Sequence, residues 1–306
     1  YAYIPQKLKL NELIGGNALV ESGTYIAIIL GLVVGGLAVS IGKENDYPLA
    51  SLLLLMAILG YFFSRKIPKT EPTDPTLKIN WNIFSEIKKI IGFSKEKDQI
   101  FLYIIGISWF WFYGSVITLQ IPAYTINILM GDENLTTFLL ATFAIGIGIG
   151  SLACERLSRN KIELGITPIG AIGLSLFTLD LYFFSSNLNV LSPVSLKLFL
   201  THLGNWRLII DLIMIGAFGG IFSVPFYAAI QEQAEKKFLS RIIAANNIVN
   251  AIFMVSASLL AISILSLGFS IPEFFALISV LNIFLMIIMH FNSKIFLERL
   301  ICICKN

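Results

Sequence analysis

Charge is scarce in this chain: only 13% of its 306 residues are charged, 56% are hydrophobic, and the mean hydropathy is +0.81. A soluble domain carries about a quarter charged residues, so a water-soluble globule is excluded and a polytopic membrane protein remains. Histidine is limited to two residues and cysteine to Cys154, Cys302 and Cys304. Cys302-Ile-Cys304 has no histidine or second cysteine pair nearby to complete a metal set. Also missing are the alternating segments of about ten residues that mark a membrane barrel, so the spans are read as helices. There is no Walker loop, no Gly-x-Ser-x-Gly and no His-Glu-x-x-His, and Gly146-x-Gly-x-Gly150 falls inside an apolar run. These absences point away from an enzyme, a cofactor and nucleic acid. A cleavable signal segment is lacking too. The chain starts at Tyr1 without Met, which reads as a fragment or an excised region of something longer.

Eight apolar stretches are long enough to cross a hydrocarbon core, which takes about 20 helical residues. They lie near 19–41, 47–64, 99–121, 135–153, 165–185, 208–230, 242–266 and 273–291. With the amino terminus inside, 19 of the 22 Lys and Arg residues fall on the cytoplasmic side, and only Lys43, Lys197 and Arg207 fall outside. That bias places both termini in the cytoplasm and agrees with an even number of spans. All three cysteines then face a reducing compartment, where disulfides are not expected.

Residues 65–78 carry three prolines and read as a linker. Ile79, Ile83, Phe84, Ile87, Ile90 and Ile91 then recur at helical spacing, opposite Lys88 and Lys89, as in an amphipathic helix lying along a membrane surface. The expected organisation is 1–64 as the end of one bundle, 65–97 as a cytoplasmic linker, 98–292 as a six-helix bundle and 293–306 as a cytoplasmic tail. In the first span Gly23, Ala27, Gly31 and Gly35 recur every fourth residue on one face. Such a stripe serves close helix packing, or a rocking interface where the contact must slide.

One crossing has recognisable sidedness. Ser151-x-x-x-Glu155-Arg156-x-Ser158-Arg159-x-Lys161 resembles the signature loop of the major facilitator superfamily of transporters, Gly-x-x-x-Asp-Arg-x-Gly-Arg-(Arg/Lys). Here Ser stands for both glycines and Glu for Asp. The aromatic run Ile107-Ser-Trp-Phe-Trp-Phe-Tyr-Gly-Ser115 sharpens the likeness. So do Asn17-Ala-Leu-Val-Glu-Ser22, Gly165-Ile-Thr-Pro-Ile-Gly-Ala-Ile-Gly173, Gln231-Glu-Gln-Ala and Ala244-Ala-Asn-Asn-Ile-Val-Asn250. Together they resemble the lysophospholipid transporter branch, in the form found fused to an acyltransferase and an acyl-carrier-protein ligase. The resemblance implies an incomplete major facilitator fold lacking four front helices. It also implies import of lysophospholipid across the bacterial inner membrane by alternating access between two bundles. Membrane lipids, an acyltransferase or the missing helices are the implied partners. The alternatives are a transporter of another small molecule, since fold does not set function, and a non-transporting remnant or scaffold for an acyltransferase. The fused acyltransferase uses His-x-x-x-x-Asp, whereas His202 precedes Arg207 and His290 precedes Ile295 by that spacing.

Ionisable groups within spans are functional candidates. Glu21, about one turn into the first span, and Asp180 are each a proton site, a partner for a lipid ammonium group, or structural. Asp211 reads as a helix-start or interface residue. Asn246 and Asn250 share a helical face, and Tyr113 and Gln120 lie two turns apart on the aromatic span; all four suit a headgroup or an interhelical hydrogen bond. In the signature loop, Glu155 suits a helix amino terminus, while Arg156, Arg159 and Lys161 suit bridges that hold one access state or simply obey the charge rule.

Overall fold

The computed structural model describes residues 1–41, 47–70, 82, 85, 92, 98–158, 161–186 and 193–305. Its helices are α1 (Ile4–Lys7), α2 (Leu13–Ile41), α3 (Tyr47–Arg65), α4 (Asp98–Asn127), α5 (Glu133–Leu157) and α6 (Thr167–Ser186). They continue as α7 (Leu196–Thr201), α8 (Trp206–Gln233), α9 (Leu239–Ser266), α10 (Ile271–Asn292) and α11 (Ile295–Lys305). Apolar sequence inside a bilayer must satisfy its own backbone, and continuous helices do so. Among the described residues seven helices are long and apolar enough to cross a membrane. The eighth expected span is α3, whose apolar part Leu49–Arg65 is shorter. Its 19 residues rise about 28 Å, close to a core of about 30 Å. The all-helical, polytopic expectation therefore holds. Most of the amphipathic segment expected at 79–97 lies outside the described residues.

Local chemistry sets the helix ends. The Asp132 carboxylate accepts the Leu135 amide at 2.8 Å to start α5. Ser270 and Glu273 form a capping box at α10, after Gly268 turns the chain at φ 93°. Met130 takes φ 50° in the turn after α4, and its carbonyl accepts the Val194 amide at 2.9 Å, which ties that turn to the approach to α7.

α8 is the hub, packed against α5, α6, α4 and α2, while α9 lies mainly on α4 and α10 mainly on α6. Glycine is what lets α8 and α5 meet backbone to backbone. A side chain on Gly146 or Gly150 would strike the carbonyls of Ile213 and Ala217, and one on Gly216 or Gly220 would strike the α5 backbone at Phe143, Ile147 and Ser151. Each helix thus offers two glycines four residues apart to the other. Polar side chains fasten the outer helices: Trp109 of α4 donates to Asn282 of α10 at 2.8 Å, and Asn282 donates to Ala171 O and Ser175 Oγ of α6 at 2.7 and 2.9 Å.

The first span, expected near 19–41, is corrected at its start: the helix begins at Leu13, and Leu13, Ile14, Asn17 and Ala18 are buried. The glycine stripe faces away from the described helices: the space beside Gly23, Gly31 and Gly35 is open to 4 Å and Ala27 is exposed. The buried face carries Asn17, Glu21, Ser22 and Tyr25 and lies against α5 and α8. Small residues permit close approach without demanding it, whereas polar groups facing hydrocarbon are costly. That cost selects the face.

Candidate functional site

On its polar face α2 meets a buried cluster of polar and aromatic side chains from α4, α8 and α9. Asn17 and Gln231 exchange amide hydrogen bonds in it, Asn17 Nδ2 to Gln231 Oε1 at 2.6 Å and Gln231 Nε2 to Asn17 Oδ1 at 2.9 Å. Gln231 Nε2 also donates to the Tyr1 carbonyl at 3.3 Å. One turn along α2 stands Glu21, only 1% exposed. The Tyr1 hydroxyl donates to Glu21 Oε1, while Glu21 Oε2 is buried without a hydrogen-bond partner. The Tyr1 ring stacks on Tyr227 with centroids 4.3 Å apart. Trp111 Nε1 donates to the Tyr227 hydroxyl at 3.1 Å. Tyr25 lies next to Glu21, and Asn246 lies next to Tyr227. Asn246 is fully buried, and both of its side-chain polar atoms lack partners. A carboxylate oxygen and an amide are thus left unsatisfied within one buried cluster round Tyr227. Unpaired groups this deep cost of order 1–3 kcal/mol each, and a ligand with a donor would recover that energy.

Other sequence candidates fall elsewhere. Glu21, placed about one turn into the first span from the sequence, is two turns into its helix and buried: α2 begins earlier than its hydropathy suggests. Tyr113 donates to Thr178 Oγ1 at 2.7 Å, which ties α4 to α6. Asn250 accepts from Ser108 at 2.8 Å, which ties α9 to α4. Gln120 is buried about 13 Å along α4 from Trp111. Asp180 holds both Nε, at 2.8 Å, and Nη2 of Arg207 in a half-exposed ion pair. Asp211, 1% exposed, lies against Asp180 with Oδ2 unpartnered. It sits in the second turn of α8, past the reach of a cap.

In the signature loop the Glu155 carboxylate fills the space where a side chain on Gly15 would go, at the start of α2, where a negative charge is favoured by the helix dipole. Arg156 is exposed at the end of α5 and Lys161 is exposed beyond it, while Arg159 lies outside the described residues. Sequence reasoning passed over Tyr227, Tyr25 and Tyr1 as site residues. Tyrosine in a span has no periodic signal; Glu21 and Asn246 were the members of the cluster legible from sequence, with Trp111 in the aromatic run.

The architecture defines a class: a polytopic helical membrane protein built round a glycine-packed hub, with an unsatisfied polar cluster in its interior. The chain belongs to the Major Facilitator Superfamily, whose family model matches residues 1–252. It is 28% identical to "Lysophospholipid transporter LplT" of Photorhabdus laumondii over 236 residues, covering 74% of this chain and 52% of that protein. It is 25% identical to the protein of that name from Escherichia fergusonii over 248 residues, 77% of this chain and 56% of the relative. The corresponding figures for the Enterobacter sp. (strain 638) protein are 24% over 245 residues, 76% and 56%. The chain spans about half the length of the curated relatives it matches. No solved structure matches it.

Proposed function

We propose that this chain forms part of an alternating-access transporter that moves lysophospholipids across the bacterial inner membrane, with Glu21 receiving the headgroup ammonium. The observation that carries this reading is the free Oε2 of buried Glu21 beside Tyr1, Tyr25 and Tyr227. A carboxylate walled by aromatic faces suits an alkylammonium, which gains an ion pair and cation–π contact together. Asn246 offers its free amide to the phosphate or the glycerol hydroxyl. The names of the relatives support the substrate class. Both termini are cytoplasmic in this reading, as the Lys and Arg distribution supports. Glu155 at the start of α2, with Arg156, Arg159 and Lys161, latches the cytoplasmic ends in one access state. The open Gly23–Gly31 face of α2 receives further amino-terminal helices, and an acyltransferase consumes the product.

The test is uptake of labelled lysophosphatidylethanolamine into vesicles, by this chain alone and together with any segment encoded upstream. Uptake in either arm, reduced at least about tenfold by Glu21→Gln and less so for lysophosphatidylglycerol, which has no ammonium, is the expected result. Folded protein without uptake in both arms defeats the lysophospholipid assignment. The rival reading is a non-transporting remnant or acyltransferase scaffold, and uptake by the chain alone would eliminate it.

A further inference from the structure

At the end of the bundle where α8 begins, two carboxylates share one cation. Asp180 of α6 accepts from both Nε, at 2.8 Å, and Nη2 of Arg207 at a half-exposed edge. Asp211 follows Arg207 by four residues and so lies on the same face of α8. It rests against Asp180 and is 1% exposed, with Oδ2 buried and unpartnered. The side chains around it have no proton to give. From α4 the buried Tyr124 faces it. Ser185 Oγ donates its hydrogen to Leu181 O at 2.6 Å, so the Tyr124 hydroxyl must donate to Ser185 Oγ at 2.7 Å and has none left for Asp211. Tyr182 of α6 is two residues from Asp180 and therefore on the other side of its helix. α5 carries no ionisable side chain between Glu133 and Cys154, and α2 has none from Ile26 to Ile41. Lys197 and His202 stand exposed before α8 starts.

We infer that Asp211, Asp180 and Arg207 form a proton-binding site: Asp211 is a neutral carboxyl that donates to the Asp180 carboxylate, and Arg207 balances the single negative charge. Charge and hydrogen bonds lead to the same count. As two carboxylates, the residues would set two negative charges against one guanidinium, with no donor between them. A buried charge without a partner is costly and is relieved by neutralisation, and two carboxylates in one site do not readily ionise together. One proton supplies both the missing charge and the missing donor. Its route to water is the Asp180 side chain, 37% exposed. The bond it makes joins α6 to α8 at the end of α5 opposite Glu155. Loss of the proton would turn that attraction into a repulsion between the two helices. The inference does not depend on what the protein transports.

The experiment records infrared spectra of the purified chain in maltoside micelles, a detergent with no carbonyl band of its own. At neutral pH the wild type should show the C=O stretch of a protonated carboxyl that Asp211→Asn lacks, and this band should fade as the pH is raised. Asp180→Asn leaves Arg207 facing one carboxylate, so Asp211 should ionise against it and the band should be lost at neutral pH too. Melting temperature is the second readout. The native state holds a proton that the unfolded chain releases, so stability falls as pH rises above the ordinary carboxylate range. In Asp211→Asn that part of the fall should vanish. Identical carboxyl spectra for folded wild type and folded Asp211→Asn overturn the inference, as does an unchanged pH dependence of melting. If Asp211→Asn does not fold, the full band persisting in Asp180→Asn overturns it. A melting temperature raised by sodium at constant pH, in the wild type but not in Asp211→Asn, marks a metal-cation site and overturns it as well.

Discussion

Glu21, Asp180 and Asp211 are three carboxylates within spans, and their neighbours separate them. Asp180 is matched by Arg207 at a half-exposed edge, so the pair itself contributes at most about 1 kcal/mol. Asp180→Asn should therefore leave the melting temperature almost unchanged. Arg207→Ala should lower it more, because it leaves Asp180 and Asp211 side by side without their common cation; equal effects in thermal denaturation would contradict that arrangement. Trp111→Phe keeps the ring but deletes the donor to Tyr227. In the proposed transporter it should raise the KM of lysophospholipid uptake up to about fivefold, the worth of one hydrogen bond, with kcat little changed. The acidic residues were legible in the sequence as rare charges in apolar runs. Their partners were not, because Tyr1 stands 20 residues from Glu21 and Arg207 27 residues from Asp180, on other elements.

At the scale of helices, α5 and α8 are joined by backbone contact and α2 by side-chain polarity. Gly150→Val would drive its side chain into the Ala217 carbonyl, whereas Gly148, one turn-half away, has open space beside it. Overpacking of that kind costs about 1–3 kcal/mol or more. Gly150→Val should therefore lower folded yield and melting temperature, and Gly148→Val should not. The Asn17–Gln231 exchange makes the matching case for α2. Asn17→Leu alone leaves a buried amide unpaired and should destabilise more than Asn17→Leu with Gln231→Leu, a comparison that thermal denaturation of the single and double variants can make. The glycines of α5 and α8 could be read as four-residue spacings, as could those of α2. Only the first set is a contact, because spacing identifies a face and not what lies against it.

For the whole molecule, the decisive feature is that α2, from before the 65–97 segment, packs on α5 and α8 from after it, and the buried polar cluster forms beside that contact. Its opposite face is open at Gly23 and Gly31. Gly31→Leu should leave the melting temperature of this chain intact, yet reduce uptake by the assembly that includes the upstream helices, if those helices close on α2 as proposed. Uptake assays and thermal denaturation of the same variant separate the two effects.

Hydropathy determined the class, the helical architecture and nearly every span, because each crossing must bury its backbone within one continuous segment and so declares itself locally. The charge string around Glu155 and the aromatic third span carried the family resemblance for the same reason: they are contiguous. The tertiary structure decided which face of α2 is buried, that Glu21 has a free oxygen among three tyrosines, that Tyr113 and Asn250 tie helices together, and that Asp180 belongs to Arg207. Those outcomes depend on the balance of polar satisfaction across helices far apart in sequence, and no single helix contains that balance.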